Sequence, residues 1–209
     1  MKYLVFDMDG TLVQLPVDWD IVLKELRSHI RGEWETVLGL YSRYCGTPTY
    51  DLADKIVEKY EQTALEDLEI LDDSPSIIEE LSKKYKIILV TMQPKSVAGK
   101  IIDMLYLGNY VEEFYTRNDA CTRIEQIKLV AEKHGRENIV LFTGDKILDA
   151  IAGYVNGIET AIVLRGKIHR FFTETDDIIE DLEALGIHIF YSLKQVRDYL
   201  RKMRLINTN

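Results

Sequence analysis

The run Tyr3-Leu4-Val5-Phe6-Asp7-Met8-Asp9-Gly10-Thr11-Leu12-Val13 constrains this chain more than any other stretch. An apolar segment that reads as a buried strand ends in two carboxylates at i and i+2. Alternate residues of a strand point the same way, so Asp7 and Asp9 reach into one small volume as the strand runs out. Two acids that close repel unless a cation or a shared proton compensates. DxDG alone also suits an Asp-Gly turn closing a strand. A calcium loop fits less well. Thr11 stands where an acid is wanted, Asp18 rather than Glu falls at the twelfth loop position, and a strand instead of a helix leads in.

The rest of the chain must decide between these readings. A chain of 209 residues, 46% hydrophobic and 29% charged, has room for one domain with an insertion or for a large and a small domain. Its net charge of −9 argues against a nucleic-acid partner, because phosphate backbones are engaged by clustered Lys and Arg. No apolar stretch has the length of a membrane span, and too few apolar residues precede Asp7 for a secretory signal. Cys45 and Cys121 fit no CxxC pattern, which suggests a reducing cytosol and free thiols rather than a disulfide scaffold. The expected location is cytoplasmic.

Strand-like apolar runs recur at Tyr3–Phe6, Lys86–Thr91, Asn138–Thr143, Thr160–Leu164 and Ile187–Tyr191, with helical patterns between most of them. Ser74-Pro75 reads as a cap and first helical residue, and Thr122 with Glu125 forms a capping box for a helix that stops at His134-Gly135. Such alternation predicts an α/β fold with a parallel sheet covered on both faces. Between Val13 and Leu71 there are only helix-like pieces, at roughly Trp19–Ile30, Glu33–Tyr44 and Tyr50–Ile70. The expected organisation is therefore a core of residues 1–15 and 72–209 with a helical cap of residues 16–71. Trp19, Trp34, Tyr41, Tyr44 and Tyr50 in the cap suit either internal packing or a pocket wall. The basic group Arg165 to Arg170 reads as a solvated loop.

Ligands of parallel α/β sheets bind at the carboxyl ends of strands, and those ends carry Asp7 and Asp9, Thr91, and Gly144-Asp145 with Asp149 a turn later. Together these residues resemble the haloacid dehalogenase superfamily, in particular its phosphoglycolate phosphatase-like members with a helical cap. The first motif of that family, DxDGT and an aliphatic residue, is matched by Asp7 to Leu12. The second, a strand ending in Ser or Thr, is matched by Thr91. The fourth, GDxxxD, is matched by Gly144, Asp145 and Asp149, with Gly153 and Gly157 following. The third, a Lys or Arg ahead of the fourth-motif strand, has two candidates. Arg123 at the helix entrance is preferred over Lys128, which more readily faces solvent.

The resemblance implies a Rossmann-like core and a magnesium-dependent phosphatase. Asp7 would attack phosphorus and form an aspartyl-phosphate. Asp9 would protonate the leaving alcohol and then deprotonate the hydrolytic water. Thr91 and Arg123 (or Lys128) would hold phosphoryl oxygens. Mg2+ would take the carboxylates of Asp7 and Asp145 and the backbone carbonyl of Asp9, with Asp149 orienting a metal-bound water. An acid at position 9 favours phosphate esters over halides. It leaves open a phosphomutase similar to beta-phosphoglucomutase, and a non-catalytic binding module with the same fold is a further alternative. The expected partner is a small phosphorylated metabolite, phosphoglycolate being one of several. Neither nucleic acid nor membrane is expected, and the sequence leaves monomer or homodimer open.

Overall fold

The computed structural model describes residues 1–165 and 175–206. The apolar run at the start becomes β1 (Tyr3–Asp7), whose residues Leu4 to Asp7 are all buried. A strand without polar alternation belongs in a sheet covered on both faces, and β1 is central in such a sheet. The chain continues through β2 (Val13–Gln14), α1 (Trp19–His29), α2 (Val37–Tyr44), α3 (Pro48–Ala64), β3 (Glu69–Ile70), α4 (Ser74–Ser82), β4 (Lys86–Val90) and α5 (Lys95–Met104). It then forms β5 (Val111–Tyr115), α6 (Arg123–His134), β6 (Ile139–Gly144), α7 (Ile147–Val155), β7 (Thr160–Val163), α8 (Thr175–Ala184), β8 (His188–Phe190) and α9 (Leu193–Ile206).

Six strands make a sheet of order β5-β4-β1-β6-β7-β8, and each neighbouring pair is parallel. From β1 the chain builds outward through β4 and β5, then crosses to the other side of β1 and builds outward through β6, β7 and β8. The order reverses beside β1, so the loops leaving the carboxyl ends of β1, β4 and β6 part in opposite directions and leave a crevice. Asp7 pairs in register with Val90 on one side, and Phe6 with Thr143 on the other. The five apolar runs all become strands of this sheet. The edge strand β5 escaped the sequence reading because VEEFY carries two acids and is only partly buried, as an edge strand can be.

The insertion leaves and returns through a narrow neck, where β2 and β3 pair antiparallel. Each of its helices has a side-chain cap. The Asp18 carboxylate accepts from the N–H of Asp20 and Ile21, and Thr36 and Thr47 cap α2 and α3 through the N–H of Gly39 and Tyr50. Val22, Leu26, Leu40, Ala53 and Val57 make a cluster of their own inside the insertion. The third helix stops at Ala64, short of the expected Ile70, because Glu69 and Ile70 are drawn into the neck. Ser74 differs too. It is the first residue of α4 rather than its cap, and its hydroxyl donates to the Leu12 carbonyl, fastening the neck to the core.

One expectation is corrected. Cys45, just after α2, and Cys121, just before α6, form a disulfide, not free thiols. Their separation of 76 residues hides the pairing from any local pattern. Among the described residues, no helix is long and apolar enough to cross a membrane.

Candidate active site

The loop after β1 is wound tightly. The N–H groups of Leu12 and Val13 both donate to the Met8 carbonyl, and that of Gly10 donates to the carbonyl of Val13. Gly10 has φ +88°, and a Cβ there would stand 2.1 Å from the Asp145 carboxylate. The glycine of DxDG is thus required twice, by its backbone angle and by the acid packed against it. Gly144 has a similar duty at the end of β6, where a Cβ would lie 2.4 Å from the Asp149 carboxylate. These two glycines bring acids from the first and last motifs into one cradle.

Asp7, Asp145 and Asp149 each place an oxygen within 4.8 Å of the others. Hard oxygen donors at that spacing, in a cradle kept open by two missing Cβ atoms, fit a small divalent cation such as magnesium. The Asp9 carboxylate stands apart from that cluster and accepts from the N–H of Leu15 at 2.8 Å. Asp149 is held from the backbone: one oxygen accepts from the N–H of Asp145 and Lys146, at 3.2 and 3.1 Å.

Arg123, at the start of α6, reaches the same acids. One terminal nitrogen pairs with Asp7, and Nε pairs with Asp149 at 2.8 Å. The other terminal nitrogen donates to Gln126 Oε1 at 2.8 Å, while Gln126 Nε2 donates to the Thr91 carbonyl at 2.8 Å. A guanidinium with donors in a fixed fork can serve three acceptors at once, which an ammonium cannot do in the same geometry. Lys128 lies elsewhere, largely exposed and paired with Glu132 one turn along α6. The structure therefore brings Asp7, Asp9, Thr91, Arg123, Asp145 and Asp149 around one cavity, and Lys128 is not among the residues that line it.

Burial sets the proton affinities here. It pushes the Asp7 carboxyl well up from its ordinary range, against the opposing pull of Arg123. Asp9 is pushed up by the same cause, opposed by Lys146 and the Leu15 N–H. Asp145 rises to about 6, again chiefly through burial, although Lys146 Nζ donates to both its oxygens at 3.0 and 2.8 Å. The Thr91 hydroxyl donates to Gln93 Oε1 at 3.0 Å and must turn to meet a phosphoryl oxygen.

The cavity holds about 590 Å³ and separates the sheet's carboxyl end from the insertion, which contributes Trp19, Leu23, Val37, Leu38, Tyr41 and Val57. Of the cap aromatics, Trp19 and Tyr41 thus line the pocket, and Trp34, Tyr44 and Tyr50 pack into the insertion's own cluster. Several polar groups escaped the sequence reading. Arg117, after β5, is fully buried and pairs with Asp54 and Glu61 of α3. Gln126 has a faint local signal, three residues beyond Arg123 on the same helix face, and Lys146 directly follows Asp145. Arg117 and Glu61 have none, since 56 residues separate them. Arg165 pairs with Asp72 and donates to the carbonyls of Gly10 and Thr11, so it is no solvated loop residue. Residues 166–170 of that basic group lie outside the described residues.

No family model matches the sequence, and no curated protein matches it. Solved structures do. A haloacid dehalogenase-like family hydrolase from Streptococcus pneumoniae superposes with a TM-score of 0.68 at 18% identity, over 96% of this chain and 98% of that one. A predicted phosphatase from Clostridium acetobutylicum gives 0.68 at 15% identity, with the same coverage of both chains. A haloacid dehalogenase-type hydrolase from Bacillus subtilis, solved bound to magnesium, gives 0.63 at 16% identity over 96% and 98%. The chain has the haloacid dehalogenase-like fold.

Proposed function

We propose that this chain is a magnesium-dependent phosphoric monoester hydrolase acting on a small phosphorylated metabolite through an aspartyl-phosphate on Asp7. The observation that carries the reading is the convergence of Asp7, Asp145, Asp149 and Arg123 at the switch point of the sheet, with Asp9 two residues beyond Asp7. Asp7, Asp145 and Asp149 would hold the metal, which supplies positive charge to offset the anionic phosphate and nucleophile. Arg123 favours the ionised form of Asp7 against the push of burial and would present donors to the phosphoryl oxygens. A carboxylate oxygen of Asp7 attacks phosphorus, and the bond to the leaving oxygen breaks as Asp9 gives that oxygen its proton. Asp9 is suited to start protonated because burial raises its proton affinity. In the second half, Asp9 takes a proton from water as that water attacks phosphorus, releasing inorganic phosphate and restoring Asp7. The insertion shields both steps from bulk water.

A cytoplasmic location remains part of this reading, and the Cys45–Cys121 disulfide, a bond favoured in oxidising compartments, is the observation that counts against it. The test is phosphate release from p-nitrophenyl phosphate with magnesium. Activity should vanish with a chelator and fall by about a thousandfold or more in Asp7→Asn, as expected when a covalent nucleophile is lost. Wild-type turnover in Asp7→Asn would overturn the proposal.

A further inference from the structure

The cavity wall opposite the acids has an unusual charge balance. Trp19, Leu23, Leu38 and Val57 make much of it apolar. On that wall Arg117 is committed to Asp54 and Glu61, and the other lining cations of the cavity among the described residues are committed on the core side, Arg123 to Asp7 and Asp149, Lys146 to Asp145 and Arg165 to Asp72. Two acids, Glu35 and Glu61, also line it. The Arg117 cluster by itself, one guanidinium against two carboxylates, carries a net negative charge when both acids are ionised. An acid-bearing, apolar wall suits an uncharged group, because an added anion would be desolvated there with no uncommitted cation to meet it.

We propose that this wall selects phosphate monoesters whose leaving group is uncharged, and discriminates against those bearing a second anion such as a carboxylate or another phosphate. The inference rests on the phosphatase reading and narrows its substrate class, away from phosphoglycolate. Recognition would come from the apolar side chains of Trp19, Leu23, Leu38 and Val57, and rejection from Glu61 and Glu35.

The test compares 4-carbamoylphenyl phosphate with 4-carboxyphenyl phosphate, near-isosteres differing in charge, at mildly alkaline pH where carboxylic acids are ionised. The wild-type protein should favour the carbamoyl ester in kcat/KM by on the order of tenfold or more. Glu61→Gln, which frees Arg117 of one carboxylate, should cut that preference at least about threefold. Leu38→Arg places an uncommitted cation on the same wall and should move the ratio the same way if Glu61→Gln fails to fold. Equal or better turnover of the carboxy ester by the wild type overturns the proposal and leaves the phosphatase reading standing. A ratio unchanged in the folded variants also overturns it. Turnover of neither ester overturns both readings.

Discussion

Lys146 shows how single side chains offset the charge of an acid cluster. Its ammonium donates to both oxygens of Asp145, while Arg123 meets Asp7 and Asp149. Two cations thus hold the cradle together, and on the proposed reading a divalent ion would displace the lysine from Asp145. Lys146→Met should therefore tighten manganese binding, by on the order of tenfold if the lost competition is worth a little over 1 kcal/mol. Electron paramagnetic resonance of free manganese measures this without turnover, and unchanged or weaker binding would show that the lysine is no competitor. At this scale much of the site was legible. Asp7, Asp9, Asp145 and Asp149 sit in short spacings that reflect local backbone geometry, and Arg123 follows a recognisable cap. Lys146 was present in the same string, but nothing in the spacing says that its side chain folds back onto its neighbour.

Between elements, the main polar link joins α3 of the insertion to the loop after β5. Arg117 pairs with Asp54 and Glu61, and the Tyr50 hydroxyl donates to the Arg117 carbonyl at 2.8 Å. Burial pushes the Glu61 carboxyl up from 4.5 to about 7, even with Arg117 pulling it down; Asp9 and Asp54 add to the rise. The folded chain thus keeps a proton that the unfolded chain releases across that window. Stability linked to Glu61 is fully present below about pH 4.5 and is lost as pH rises toward 7. Glu61→Gln should remove that dependence: the stability of wild type relative to the variant should fall by on the order of 3 kcal/mol from pH 4.5 to 7.5. Denaturant melts across this range measure it, and parallel pH profiles for the two proteins would contradict it. Five strands of the sheet and the three helices of the insertion could be read from periodicity. The edge strand β5 could not, since its mixed composition acquires meaning only once β4 lies beside it.

Across the whole molecule, the Cys45–Cys121 bond joins the insertion to the segment just before α6, the helix that begins with Arg123. Closing 76 residues of sequence separation removes disorder from the unfolded chain worth on the order of 4 kcal/mol. The Cys45→Ser/Cys121→Ser protein should melt roughly 10 °C lower than the oxidised wild type. Scanning calorimetry reads the difference, and an unchanged midpoint would mean that packing and the Arg117 pairs hold the insertion without the bond. By itself, the sequence determined the α/β alternation, the place of the helical insertion and the acids of the cradle, because periodicity, caps and short motifs express forces between near neighbours. Only the tertiary structure decided which cation reaches Asp7, that the two cysteines meet, and that Arg117 is spent on Asp54 and Glu61. Those contacts join residues tens of positions apart, and they exist only because the sheet order and the neck bring distant segments to one side of β1.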